Sequence, residues 1–192
     1  IWSALGWDPD ANEIETLRQY SRYFIGERFT DGFAQGLRSL ERNWIGSPSN
    51  NPAIEITLRQ FQDMERVASP KDLRNWRFQQ ALYRAYYDSY VRDRHEYETN
   101  LEHQAIEVVR RAKEIGSLET IARAQAILSQ ATSLPVSQNR RTRVFELGAA
   151  LFQSIHMQLS VPRYGAIGEE RGANLDSIDA PLNNRAWFEK QF

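Results

Sequence analysis

Cysteine is absent from the 192-residue chain. Its absence excludes disulfides, thiolate nucleophiles and zinc sites built on cysteine, and leaves the redox compartment open. Long apolar runs are missing as well. A membrane-spanning helix needs about 20 predominantly apolar residues, and the longest candidate, residues 144–161, is broken by Glu146, Gln153, His156 and Gln158. Neither charge dominates: 24 lysines and arginines face 25 aspartates and glutamates. A dedicated nucleic-acid binder carries a basic excess or patch, and arginines spread over every predicted helix read first as solvated faces. Neither a membrane nor a nucleic acid is therefore an expected partner. The N-terminus shows no signal-peptide pattern. Because the chain opens on Ile1 rather than methionine, the expectation is a domain cut from a larger multi-domain protein.

What remains is a helical sequence. A hydrophobic fraction of 41% and a charged fraction of 26% are those of ordinary globular proteins, and the length suffices for a sizeable core. Apolar residues recur at helical spacing in segment after segment, with no strand-period stretch and no repeat of fixed length. The first predicted helix covers about 9–25, capped by Asp8 or Asp10. Ile14, Leu17, Tyr20 (or Ser21) and Phe24 share its inner face, and Gly26 stops it. A second, about 30–44, turns Phe33, Leu37, Leu40 and Trp44 inward. Gly32 and Gly36 each cost such a helix about 1 kcal/mol relative to alanine, which predicts a close helix–helix approach as compensation. A third helix follows the turn-rich loop 46–52 and ends near Ala68.

Ser69, Pro70 and Asp72 signal a fresh helix start. No proline or glycine then intervenes before Ile115. This is either one spine of roughly 70 Å, at about 1.5 Å per residue, or two helices parted near Thr99 and Asn100. Ser117 caps the next helix, closed by Leu134 and Pro135. Another, about 137–159, carries the stripe Val144, Leu147, Leu151, Ile155 and Leu159 and ends before Pro162. Residues 163–183 read as an extended return segment, after which Asn184 caps a last helix. The predicted fold is all-α, a bundle of six or seven helices with a long central helix and an irregular C-terminal segment. One domain spans 1–192: N-terminal helices in 1–68, central helices in 69–160, and the return segment with a truncated helix in 161–192.

Patterns that carry chemistry fail in turn. His95 and His103 flank Glu98 and Glu102, but the residues three before His95, His103 and His156 are Arg92, Asn100 and Gln153, so the Glu-x-x-His pairs of di-iron bundles are missing. His95-Glu96 opens like a zinc-protease motif until Thr99 occupies the second histidine position. No Gly-x-Ser-x-Gly elbow and no Gly-x-x-x-x-Gly-Lys loop occurs. Glycoside cleavage needs two carboxyl groups across a sugar. Asp8 with Asp10 reads as helix capping, and Asp176 with Asp179 as Asx-turns. No catalytic residue, metal or cofactor is expected.

The richest constellation lies at 76–90. Trp76, Tyr83, Tyr87 and Tyr90 share a broad helical face with Gln80, and Arg77 and Arg84 line an adjoining strip, continued by Arg94. Aromatic faces stack on sugar rings, while arginine and glutamine bind hydroxyls and carboxylates. Trp76, Arg77, Gln80, Tyr83, Arg84 and Tyr87 are therefore the candidate ligand-binding residues, with an acidic saccharide as the ligand that suits them. The packing reading takes precedence. A central helix buries aromatics all round, and buried tyrosine hydroxyls need arginine or glutamine partners.

Two stretches also carry a family resemblance. Trp7-Asp8-Pro9-Asp10, with Tyr20, Tyr23, Phe24 and Gly26, resembles the start of the helical domain that follows the catalytic barrel in large bacterial glycoside hydrolases, of N-acetylhexosaminidase or α-glucuronidase type. Phe33 to Leu37, Glu41 to Trp44 and Asn75 to Gln79 resemble an uncharacterised bacterial set of the same kind. The resemblance implies a non-catalytic accessory domain of a carbohydrate-active protein, whose catalytic carboxylates lie in the barrel and whose partners are neighbouring domains of the same chain. It also implies a periplasmic or extracellular setting. The alternative is a helical module that binds a protein or peptide in a groove, with no carbohydrate role.

Overall fold

The computed structural model describes residues 6–167 and 174–180. Nine α-helices and no strand occur among the described residues: α1 (Glu13–Phe24), α2 (Thr30–Arg42), α3 (Ala53–Val67), α4 (Pro70–Leu73), α5 (Trp76–Arg110), α6 (Ala112–Ile115), α7 (Ser117–Ser133), α8 (Gln138–Ile155) and α9 (Val161–Tyr164). Three of the nine are single turns, so the architecture is five substantial helices arranged along a sixth, long one. The expected helix at Asn184, and Gly168 and Gly172, lie outside the described residues.

Local chemistry sets the helix boundaries. Asn12, rather than Asp8 or Asp10, caps α1, its Oδ1 accepting from the amides of Ile14 (3.1 Å) and Glu15 (3.3 Å). Asp8 only closes a small turn onto the Asp10 amide. The start at Ser69 is a capping box with Asp72, but it supports one turn alone. A second cap, Asn75, opens the spine at Trp76. The spine then passes Thr99 and Asn100 without a break and stops at Arg110; tertiary packing overrides two weak helix formers there. Gly116, not Ser117, caps α7, and His156 in the left-handed region ends α8 well before Pro162.

The N-terminal half of α5 is buried around most of its circumference, apart from the edge that carries Arg77, Gln80 and Arg84. Phe78, Leu82, Tyr83, Tyr86, Tyr87 and Tyr90 join Phe33 of α2, Leu58 and Phe61 of α3, Val144, Leu147 and Leu151 of α8, and Leu175 and Ile178 of the return segment in one core. Tyrosine hydroxyls in it are satisfied: Tyr86 donates to Glu65 (3.0 Å) and Tyr90 to Asp179 (2.8 Å). Gly36 permits the α2–α3 approach, since a Cβ there would lie 2.7 Å from Phe61 Cζ. The C-terminal half of α5 leaves this core and pairs with α7 around Ala105, Ala124 and Leu128. The result is a main bundle carrying a two-helix arm.

Candidate functional site

A cleft of about 500 Å³ opens between α1, α2 and the first turns of α5. Helical spacing builds each wall. Glu13, Leu17 and Tyr20 come from successive turns of α1. Leu37, Arg38 and Glu41 come from α2, with Trp44 just past its end. Arg77, Gln80, Ala81 and Arg84 share one edge of α5. Phe33, Leu40, Tyr83, Met157 and Leu159 complete the lining.

The three arginines differ in how they are held. Arg84 is tethered: its Nε donates to Asp88 Oδ1 at 2.8 Å, and its guanidinium lies 4.6 Å from the Trp44 ring centroid. Asp88 is itself buried, and also accepts from Trp44 Nε1 and Asn43 Nδ2, both at 3.0 Å. Burial raises the Asp88 pKa above the ordinary carboxylate value, even though Asn43, Arg84 and Trp44 all favour the anion. Arg77 is held by rings, with its guanidinium 3.9 Å from the Phe24 centroid and 4.2 Å from that of Trp76. Arg38 makes neither contact. Among the described residues, neither Arg38 nor Arg77 has a hydrogen-bond acceptor or an ion-pair partner, although both are half-buried. Glu13, Glu41 and Gln80 are exposed, and their side chains are also unpartnered there.

Of the candidate residues, Arg77, Gln80, Tyr83 and Arg84 line the cleft, whereas Trp76 and Tyr87 do not. Trp76 packs half-buried against the core and under Arg77. Tyr87 is buried against Tyr83, with ring centroids 5.9 Å apart. The strip does not extend to Arg94. Buried two turns further on, Arg94 donates to Glu98 (2.6 Å) and to the backbone carbonyls of Ile178 (2.6 Å) and Ala180 (3.1 Å), fastening the return segment. Sequence reasoning missed Glu13, Tyr20, Arg38, Glu41, Met157 and Leu159 as companions of this strip. It also turned Trp44 inward, whereas that ring is 49% exposed at the cleft edge, because its indole N–H is drawn to Asp88.

The carboxylate pairs are structural. Asp176 accepts from Ser160 Oγ (2.6 Å) and the Val161 amide (2.7 Å), capping α9. Asp179 pairs with Arg141 at 2.6 Å. The Asx-turn belongs instead to Asn174, which accepts from the Asp176 and Ser177 amides. No group of three or more His, Asp or Glu side chains gathers for a metal among the described residues. No helix among them is long and apolar enough to cross a membrane.

Comparison with known proteins gives no match. No protein-family model, no curated protein and no solved structure matches this chain. The glycoside-hydrolase resemblance therefore rests on its sequence motifs, and the structure adds one geometric fact about them. Both motif-bearing stretches meet at the cleft. Tyr20 comes from the first and Leu37, Trp44 and Arg77 from the second. Asn75 Nδ2 also donates to the Phe24 carbonyl at 2.6 Å, tying the two together.

Proposed function

We propose that the chain is a non-catalytic helical domain of a carbohydrate-active protein, flanking the catalytic barrel, with this cleft as its saccharide-facing surface. The observation that carries the reading is the meeting of the two motif stretches at one cleft whose walls combine rings, guanidinium groups and an amide. Rings offer an apolar face to a sugar and the polar groups fix its hydroxyls. Glu55, Asp93, Asp179 and Glu65 are committed to ion pairs, and Asp176 to a cap.

Affinity electrophoresis of the chain in gels containing soluble polysaccharides, paired with reducing-sugar assays on the same substrates, tests this reading. Retardation without turnover is the expected outcome. Turnover abolished by a single carboxylate substitution, such as Asp176→Asn, contradicts it.

The competing reading is a protein- or peptide-interaction module. Its best support is a set of exposed apolar side chains, Ile45, Ile56, Leu118, Leu134 and Ile167. These fall on separate segments along the chain rather than on one helix stripe, which favours the cleft over a partner groove.

A further inference from the structure

We infer that the cleft selects a saccharide bearing a carboxylate, and that Arg38 and Arg77 are the residues that select it. The inference rests on the saccharide-facing reading above and adds the charge class of the ligand. Protein guanidinium groups removed from water are normally paired, because a half-desolvated cation without an acceptor forfeits hydration for nothing. The arginines elsewhere in the bundle obey this. Arg94 is paired with Glu98, Arg140 with Glu55 and Asp93, Arg141 with Asp179, and Arg143 with Glu65. Arg38 and Arg77 break the pattern, and both line the same cleft.

The two are prepared differently. The Arg77 guanidinium lies against the Phe24 and Trp76 rings. A ring contact engages the face of a guanidinium group, and the N–H edge of Arg77 has no acceptor among the described residues. That edge matches a carboxylate through two parallel hydrogen bonds, a geometry lysine cannot reproduce. Arg38 faces the same space from α2 and adds a second cation. Arg84 contributes little net charge, being paired with Asp88. The carboxylates of the cleft, Glu13 and Glu41, are exposed at its rim. Exposed to water, their charges are screened more strongly than those of the half-buried cations. A uronate fits this arrangement: one carboxylate for the wall, several hydroxyls for Gln80 and the rim, and a ring face for Tyr20 or Trp44. The volume, about 500 Å³, lies within the range of small-molecule sites.

Isothermal titration of the chain with oligogalacturonate, with a neutral galacto-oligosaccharide of equal length, with a short poly-glutamate peptide and with sodium sulfate tests the inference. Oligogalacturonate is expected to bind more tightly than the neutral sugar. Arg38→Gln with Arg77→Gln is expected to weaken it roughly ten- to hundredfold, the worth of a charge-assisted pair, and to weaken the neutral sugar by clearly less. Arg38 makes no hydrogen bond, ion pair or ring contact among the described residues, so Arg38→Gln alone, expected to show a partial loss, stands in if the double variant fails to fold. Equal affinity for acidic and neutral sugars overturns the inference but leaves the saccharide reading standing. So does unchanged oligogalacturonate binding by a folded variant. Binding of sulfate or poly-glutamate as tight as the uronate also overturns it, as a general anion or peptide site. Failure of every saccharide to bind removes both.

Discussion

Replacing Asp88 with alanine would leave Asn43 Nδ2, Trp44 Nε1 and Arg84 Nε without their shared acceptor. Because Arg84 reaches partly into solvent, the cost is below that of a fully buried pair, about 2–3 kcal/mol, read as a fall in thermal or urea stability. The Trp44 ring should also lose its fixed position, so a blunted fluorescence response to ligand is expected in the same variant. Asp179 gives a pH-dependent counterpart. Burial raises its pKa, but hydrogen bonds from Arg141 and Tyr90 and the charges of Arg141 and Arg94 outweigh it, and the net value is lowered. A lowered carboxylate pKa contributes stability that is complete above the ordinary value and lost as pH falls through the folded value. Wild type is therefore expected to be more stable than Asp179→Asn near neutrality, with the two curves converging in acid. A constant gap down to strongly acidic pH would count against the pairing.

At the scale of elements, Gly36 shows what the sequence could and could not say. Two glycines four apart predicted a close approach, and Phe61 Cζ occupies the space a Cβ would need. Gly36→Ala gains about 1 kcal/mol of helix propensity but forces fully buried Phe61 aside, at about 1–3 kcal/mol. A net loss or near-neutral melting shift is expected, and a clear gain would refute the crowding. Apolar periodicity made the all-α class and the long helix legible, and the stripes Phe33, Leu37, Leu40 and Val144, Leu147, Leu151, Ile155, Leu159 recur in the core. Cap choice was not legible, because Asp8, Asp10 and Asn12 are equally good caps in isolation and only packing selects Asn12. The cleft was half legible for a related reason. Arg77, Gln80 and Arg84 share an edge of one helix, so spacing found them. Tyr20 and Arg38 reach the same cleft from other helices, and no local period encodes that meeting. Trp76 and Tyr87 show the converse error, since a broad helical face is divided by its neighbours into a cleft edge and a buried side. The arm is a separate case. Its small core around Ala105, Ala124 and Leu128 is isolated from the main one, so faster amide exchange in α7 than in α8 is expected. Leu128→Ala should accelerate exchange in the arm while sparing α2 and α3.

On the scale of the whole molecule, the proposal is that the bundle uses the cleft lined by Arg38 and Arg77 to hold a ligand. The most direct test is a two-dimensional ¹H–¹⁵N spectrum of the labelled chain titrated with oligogalacturonate. Saturable shifts are expected at the Trp44 indole N–H, the Arg77 side-chain Nε–H and the backbone amides of Arg38, Trp44, Arg77 and Gln80, with the arm residues of α7 unmoved and the ligand signals unchanged in covalent structure. Shifts centred on α7 or on the Ile45 loop, or cleavage of the added oligosaccharide, would contradict a non-catalytic uronate cleft at this site.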